Sequence, residues 1–190
     1  MEKTLTNINL DVKSMVLCSI FSALYVVGAF IQIPLPNSDY FTLQYLFIIL
    51  SAMVLSPKKA LLSVCIYLAL GLAGFPVFAA GGGITYILKP SFGYLIGFAV
   101  SSYIVSYLLN NRNKKFSNFF MAGIVGFLII YVIGFIYKYT ALNLFMGVKT
   151  PWLVIFLGAF PIDMPGDLIA TILAAILAPK IRRAVYADGR

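Results

Sequence analysis

The stretch GLAGFPVFAAGGGITYILKPSFGYLIGFA, residues 71–99, decides the fold, because it interrupts a chain that is otherwise almost continuously apolar. It holds seven of the fifteen glycines, two prolines, six aromatic residues and one lysine. The triplet Gly81, Gly82 and Gly83 permits positive φ and close approach by other groups, while Pro76 and Pro90 cannot continue a helical hydrogen-bond ladder. In a chain surrounded by lipid, irregular backbone of this kind must touch water, line a cavity or be buried in protein. It reads either as a broken, aromatic-lined segment at one membrane face that closes over a small ligand, or as a re-entrant loop with no ligand.

With 62% hydrophobic and 11% charged residues among 190, the chain departs from soluble domains, which carry about 25% charge. Apolar runs recur along its length, so the expected fold is all-α, a single integral membrane domain over residues 1–190 with a short polar leader at 1–11. The alternating segments of about ten residues that mark a transmembrane β-barrel are missing. No G-x-x-x-x-G-K-[ST] run occurs, so the chain carries no P-loop for ATP. Histidine is absent, which removes the usual neutral-pH acid/base and the commonest metal ligand, and no cofactor is expected. Cys18 and Cys65 fall inside apolar runs, where they act as small hydrophobic fillers. The net charge of +8 is carried mainly by residues that flank apolar segments, so the expected partner is the lipid bilayer and not nucleic acid.

Six spans are expected, at residues 15–33, 41–55, 60 to about 74, 92–109, 119–137 and about 167–181. A span of nineteen residues rises ~28 Å, which suits a hydrocarbon core about 30 Å thick. Residues 31–39, with Pro34 and Pro36, form a first outer turn, and 138–150 a polar-spaced loop carrying Asn143. The apolar run 153–160 is too short to span, and 161–166 is an elbow before the last helix. This arrangement places Lys3, Lys13, Lys58, Lys59, Arg112, Lys114, Lys115, Lys180, Arg182, Arg183 and Arg190 on one side, eleven of the fourteen basic residues. Lys89, Lys138 and Lys149 are left opposite. The positive-inside rule then sets both termini in the cytoplasm. The irregular loop after the third helix, the Asn143 loop and the elbow converge on the outer face, where a ligand would enter.

Within those segments, Asp163 and Asp167 stand at the entrance to the sixth helix, in PIDMPGD. Ionisable groups near apolar membrane segments are costly and are functional candidates, although Asp163 could equally cap the helix and Asp167 could favour the positive end of its dipole. Lys89, the one cation in the organising stretch, could pair with a ligand carboxylate or simply snorkel to the interface. Tyr86, Tyr94, Phe75 and Phe78 offer a wall for a ring, or an interfacial aromatic belt. Gly82, within the triplet, leaves room for a ligand to approach the backbone, and Gln44 and Asn143 can each donate and accept. Ser19 and Ala23, four apart in the first span, form a small-xxx-small face against which a partner helix could pack. The roles open to such a chain are a binding and translocating subunit, a membrane-embedded acid/base enzyme using Asp163 and Asp167, or a structural membrane subunit.

At these residues the sequence resembles the BioY family, the biotin-binding S components of energy-coupling factor (ECF) vitamin transporters. The resemblance rests on IPLP at 33–36, FTLQ at 41–44, GLAGFPVFAAGGG at 71–83, KPSFGYLIGF at 89–98 and PGDLI at 165–169, ordered blocks that together cover most of the chain. It implies a six-helix S component that captures biotin from outside, in the cell membrane, with a partner module of two cytoplasmic ATPases and a transmembrane coupling subunit that supplies the ATP site. Carried over residue by residue, it supports Asp167 as a ligand group. The chain departs from the family pattern at Ala170, where a lysine often follows the PGD motif, at Tyr40, where proline is usual, and at Ile162 and Asp163, which replace Pro-Phe.

The charge split predicts that a single cysteine placed at Lys114, in a background lacking Cys18 and Cys65, is labelled only after a membrane-impermeant reagent gains access to the cytoplasm. Labelling of intact cells would reverse the orientation.

Overall fold

The structure is a computed structural model that describes residues 11–35, 39–110 and 115–186. Its elements are α1 (Val12–Phe30), β1 (Gln32–Leu35), β2 (Asp39–Thr42), α2 (Gln44–Val54), α3 (Pro57–Leu72), α4 (Phe92–Leu109), α5 (Phe116–Thr140), α6 (Trp152–Ala159) and α7 (Asp163–Tyr186), with a short 3-10 helix at Ile84–Leu88 and a π-helical turn at Ala141–Phe145. Among the described residues three helices are long and apolar enough to cross a membrane, or four if α6 and α7, which meet at a 48° bend, count as one. A buried cluster runs through the helices, from Tyr25 and Ile48 to Phe119 and Ala174.

Several boundaries differ from the sequence reading, each for a local reason. Helix α1 begins at Val12, because Asp11 caps it: the Asp11 carboxylate accepts from the Ser14 N–H at 3.3 Å and from the Ser14 hydroxyl. That hydroxyl bond, aided by Lys59 with its Nζ 3.7 Å away, holds the Asp11 carboxyl below its usual range. The helix stops at Phe30, three residues before the expected end, because the chain then enters a hairpin. Ile33 pairs with Phe41 and Gln32 with Thr42 in an antiparallel ladder, so the all-α expectation misses a two-stranded sheet. The expected turn at 31–39 is that hairpin, and Pro36 lies outside the described residues. Phe41 and Thr42 belong to β2, and α2 starts only at Gln44. Helix α3 opens with Pro57 in its first turn, where the missing N–H costs nothing.

Lys138, expected in a loop, is a buried residue of α5, which runs to Thr140. The last helix starts at Asp163, not Asp167, so the expected elbow is already helical at Pro165 and Gly166. A proline in the first turn needs no intrahelical partner. Gly166 has a separate purpose: a Cβ there would lie 2.4 Å from the Phe41 ring, which seats the hairpin against α7.

Packing between helices follows small residues and buried hydroxyls. Gly93 and Gly97, four apart on α4, let α5 approach to contact: a Cβ on Gly97 would stand 2.9 Å from the Ile130 Cα, and one on Gly93 2.3 Å from the Tyr137 Cβ. Gly134 of α5 answers by accommodating the Tyr94 ring. Such small-residue contacts replace the hydrophobic drive that lipid cannot supply. On the other side, Tyr25 of α1 donates to Ser51 of α2 at 2.5 Å and lies 2.8 Å from the Ser63 hydroxyl of α3. Ser22 donates to the Ser63 carbonyl at 2.8 Å, closing a buried polar knot among three helices.

Gly97→Val should therefore force α4 and α5 apart and lower stability by about 1–3 kcal/mol, the usual cost of overpacking. Gly158→Ala, whose Cβ would meet open space, should leave the thermal midpoint in detergent unchanged. Equal midpoints for the two variants would refute the close contact.

Candidate functional site

The glycine-rich stretch folds back onto the end of α3. Gly81 and Gly83 take φ of 107° and 100°, a conformation that side chains resist, and the Gly83 N–H donates to the Gly71 carbonyl at 2.7 Å. A Cβ on Gly82 would fall 2.1 Å from the Phe75 carbonyl, and one on Gly71 2.0 Å from the Phe78 ring. The ring of Phe78 is thereby buried, edge-on to Tyr67 at 5.2 Å between centroids and tilted against Tyr86 at 4.6 Å. These separations lie in the favourable range for aromatic pairs. The loop is thus locked to the core knot through Tyr67 and Tyr25, whose rings meet at 5.9 Å.

Locking the loop leaves a cavity between it, the hairpin and α4, α5 and α7, with about 700 Å³ of empty space including its open mouth. The hairpin contributes Tyr40, Phe41 and Thr42, α2 contributes Gln44 and Tyr45, and the loop contributes Ala79 and Tyr86. Ser91, Tyr94, Leu95 and Phe98 form one wall, Ile130 and Tyr131 a second, and Asp163 and Asp167 the acidic end. Tyr131 donates to the Asp167 carboxylate at 2.8 Å. Thr171 donates to the Asp167 backbone carbonyl at 2.8 Å, so at 2.9 Å it is Tyr45 that donates to Thr171. Two tyrosines thus brace the first turns of α7 from α2 and α5, and Asp167 keeps acceptor capacity facing the cavity. Gln44 is buried, and its side-chain Nε2, near the Tyr67 hydroxyl, makes no hydrogen bond of full geometry. A buried amide donor left unmade is costly, and a ligand acceptor placed in the cavity would relieve it.

The structure brings together five of the expected ligand residues, Asp163, Asp167, Gln44, Tyr86 and Tyr94. It does not bring the others to this cavity. Phe78 lies one layer behind Tyr86, Phe75 is exposed, and Gly82 gives its close approach to the Phe75 carbonyl and not to a ligand. Asn143 spends its amide on the Tyr139 and Thr150 carbonyls, at 2.9 and 3.0 Å, and ties the loop after α5. Lys89 donates to the Ala80 carbonyl at 2.8 Å and lies 4.8 Å from the Tyr86 ring centroid, outside this cavity but lining the next one. Ser19 and Ala23 are exposed on α1. Sequence reading missed Tyr131 and Tyr45. The signal for Tyr131 was available: Phe127, Tyr131 and Phe135 are spaced four apart on α5, one aromatic stripe, and their rings meet along the helix, tilted at 4.6 Å and edge-on at 5.5 Å.

Comparison with known proteins gives a consistent relationship. The family model described as "BioY family" matches residues 1–187. A probable biotin transporter BioY of Lysinibacillus sphaericus is 40% identical over 93% of this chain and 90% of its own length. The biotin transporter BioY of Thermotoga maritima is 36% identical over 90% of this chain and 96% of its own. The crystal structure of the S-component for biotin from an ECF-type ABC transporter superposes with a TM-score of 0.78, covering 94% of this chain and 95% of that one, at 24% identity; it shares the fold. Matched over nearly its whole length by the family model and by relatives above one-third identity, the chain belongs to the BioY family.

Proposed function

We propose that this chain is the biotin-capturing subunit of an ECF-type vitamin uptake transporter, binding the vitamin at the outer face of the cell membrane and passing it on without chemical change. It is a transport subunit and not an enzyme. The observation that carries the reading is the Tyr131–Asp167 pair at one end of an aromatic cavity, with the buried Gln44 amide beside it. Biotin presents a ureido ring with two N–H donors and a carbonyl acceptor. A carboxylate oriented by one tyrosine can accept the ureido N–H groups, the Gln44 N–H can meet the ureido oxygen, and Tyr86, Tyr94 and Phe98 can cover the rings. A largely apolar pocket with a few placed polar groups is what a small-molecule site requires.

In this reading the whole chain is one multi-pass membrane domain with six spans and cytoplasmic termini, the short helices α2 and α3 counting as spans and α6 as a re-entrant piece. It uses no cofactor of its own. Energy comes from a partner module of two ATPases and a transmembrane coupling subunit, since the sequence lacks a nucleotide-binding loop. Ser19 and Ala23 mark a docking face for that module, both exposed and small on α1.

Two outcomes follow for purified protein. Asp167→Asn replaces an acceptor-only group with one that presents donors to the ligand's own donors, and should weaken biotin binding at least about tenfold, ~1.4 kcal/mol. Gln44→Met should also weaken binding while raising the thermal midpoint of the ligand-free protein, because it removes a buried amide whose N–H is poorly matched. Calorimetric titration of monodisperse variants checks both, and unchanged affinity in Asp167→Asn would remove Asp167 from the site.

For the docking face, Ser19→Leu combined with Ala23→Leu should spare biotin binding and weaken co-purification with the partner module. Loss of binding with assembly intact would overturn the assignment.

A further inference from the structure

The acidic end of the cavity carries more charge than a neutral ring needs. Asp163 and Asp167 both line it, four residues apart in the first turns of α7, a spacing that puts their side chains on one face with Cβ atoms about 5–6 Å apart. Asp163 opens the helix, where the positive end of the dipole stabilises a negative charge. Among the described residues that line this cavity none is basic; Lys89 and Lys138 line the neighbouring chamber instead. Tyr131 donates to Oδ2 of Asp167, which leaves that carboxylate able to accept further N–H groups. The rings of Tyr86, Tyr94, Phe98 and Tyr131 line the same space, and aromatic faces attract cations. Paired carboxylates within aromatic walls are the surroundings that a delocalised organic cation requires.

We propose that Asp163 acts as a second anionic contact beside Asp167 and widens the ligand class of this site from cyclic ureas to cyclic guanidinium ions. The proposal rests on the biotin reading above and adds to it a specificity residue and a second kind of head group. The chemistry of the two heads decides what each carboxylate can do. A cyclic urea carries one N–H on each side of its carbonyl, so a carboxylate that meets the N–H brings its second oxygen towards the carbonyl oxygen. A cyclic guanidinium has an NH2 group in place of that oxygen. It therefore presents two N–H forks, one on each flank, and each fork matches a carboxylate. One carboxylate would balance the positive charge and leave a fork unmet; Asp163 supplies the second. Gln44 lines the same cavity from α2, and its amide, which can donate or accept, serves the carbonyl of one head and the NH2 of the other. Both heads are planar, so the aromatic walls cover either one and add attraction for the charged form.

The test compares biotin with 2-iminobiotin, which keeps the rings and the acid tail and exchanges the urea for a guanidine that is protonated at neutral pH. Calorimetric titration at neutral pH uses purified wild-type protein, Asp163→Asn and Asp163→Ala. Wild-type protein should bind 2-iminobiotin within about tenfold of biotin. In each variant the ratio of the two dissociation constants should move against 2-iminobiotin by at least about tenfold, because the lost contact is charge-assisted for the guanidinium and weaker for the urea. The wild-type comparison needs no variant to fold, so 2-iminobiotin weaker than biotin by more than about tenfold overturns the proposal directly. A smaller change of ratio in either monodisperse variant also overturns it, since an Asp163 that only caps or shapes the helix would affect both ligands in parallel. Binding of biotin alone by wild-type protein would remove this proposal and leave the biotin reading standing, whereas binding of neither ligand would remove both.

Discussion

Irregular backbone in a water-poor surround has to find hydrogen-bond partners, and the rest of this structure is arranged to provide them. Each loop that departs from helix leaves carbonyls that its own ladder cannot use. Tyr67 donates to the Val77 carbonyl at 3.2 Å, Lys89 to that of Ala80, Tyr137 to that of Ile87 and Asn143 to that of Thr150. The hairpin settles its own account by strand pairing, and the Leu43 N–H donates to the Ile31 carbonyl at 3.0 Å. Side chains that look like ligand groups in the sequence are in several cases occupied by this task.

Satisfying the loops fixes their position, and that position creates the site. With Phe78 pressed onto Gly71, the loop presents Tyr86 to the cavity and keeps Phe78 behind it as support. The hairpin, held by Phe41 against Gly166, closes the opposite side. Between them the close approach of α4 and α5, permitted by Gly93, Gly97 and Gly134, sets Tyr94 edge-on to Tyr131 at 5.9 Å. Tyr131 can then reach Asp167 on a third helix. The carboxylate is placed by a sequence of contacts that begins in glycine, and a bulky residue at any of them would shift it.

The two buried polar systems have different parts to play. The knot of Tyr25, Ser51 and Ser63, whose two serines donate to the Ile48 and Ala60 carbonyls of their own helices, joins α1, α2 and α3; a satisfied network of this kind rigidifies. The cavity system sets the Gln44 amide and the Asp163 and Asp167 carboxylates along open space, with Tyr131 donating to Asp167. The first network closes on the protein itself, whereas the second lines a cavity.

Composition and the spacing of apolar runs determined that this is a helical membrane chain, and residues 92–109 emerge as the helix Phe92–Leu109 without adjustment. Helices of that kind are legible because their apolar length is a property of the segment alone. Asp167 stood out in the sequence too, since a charge at the edge of an apolar run is costly wherever the run folds, and the structure places it on the cavity wall. The hairpin was not read, although Ile33, Phe41 and their neighbours pair cleanly, because four-residue strands carry little periodicity and their partners are set by closure of the loop. Nor could sequence say that Lys89 and Asn143 bond loop carbonyls, that Phe78 stands behind Tyr86, or that Tyr131 meets Asp167 across thirty-six positions. Those facts depend on which helices touch, and the small residues that permit close contact do not name the partner they admit. Local segments and their polarity are written in the chain; which groups become neighbours was decided only when the glycine faces of α4 and α5 closed on each other.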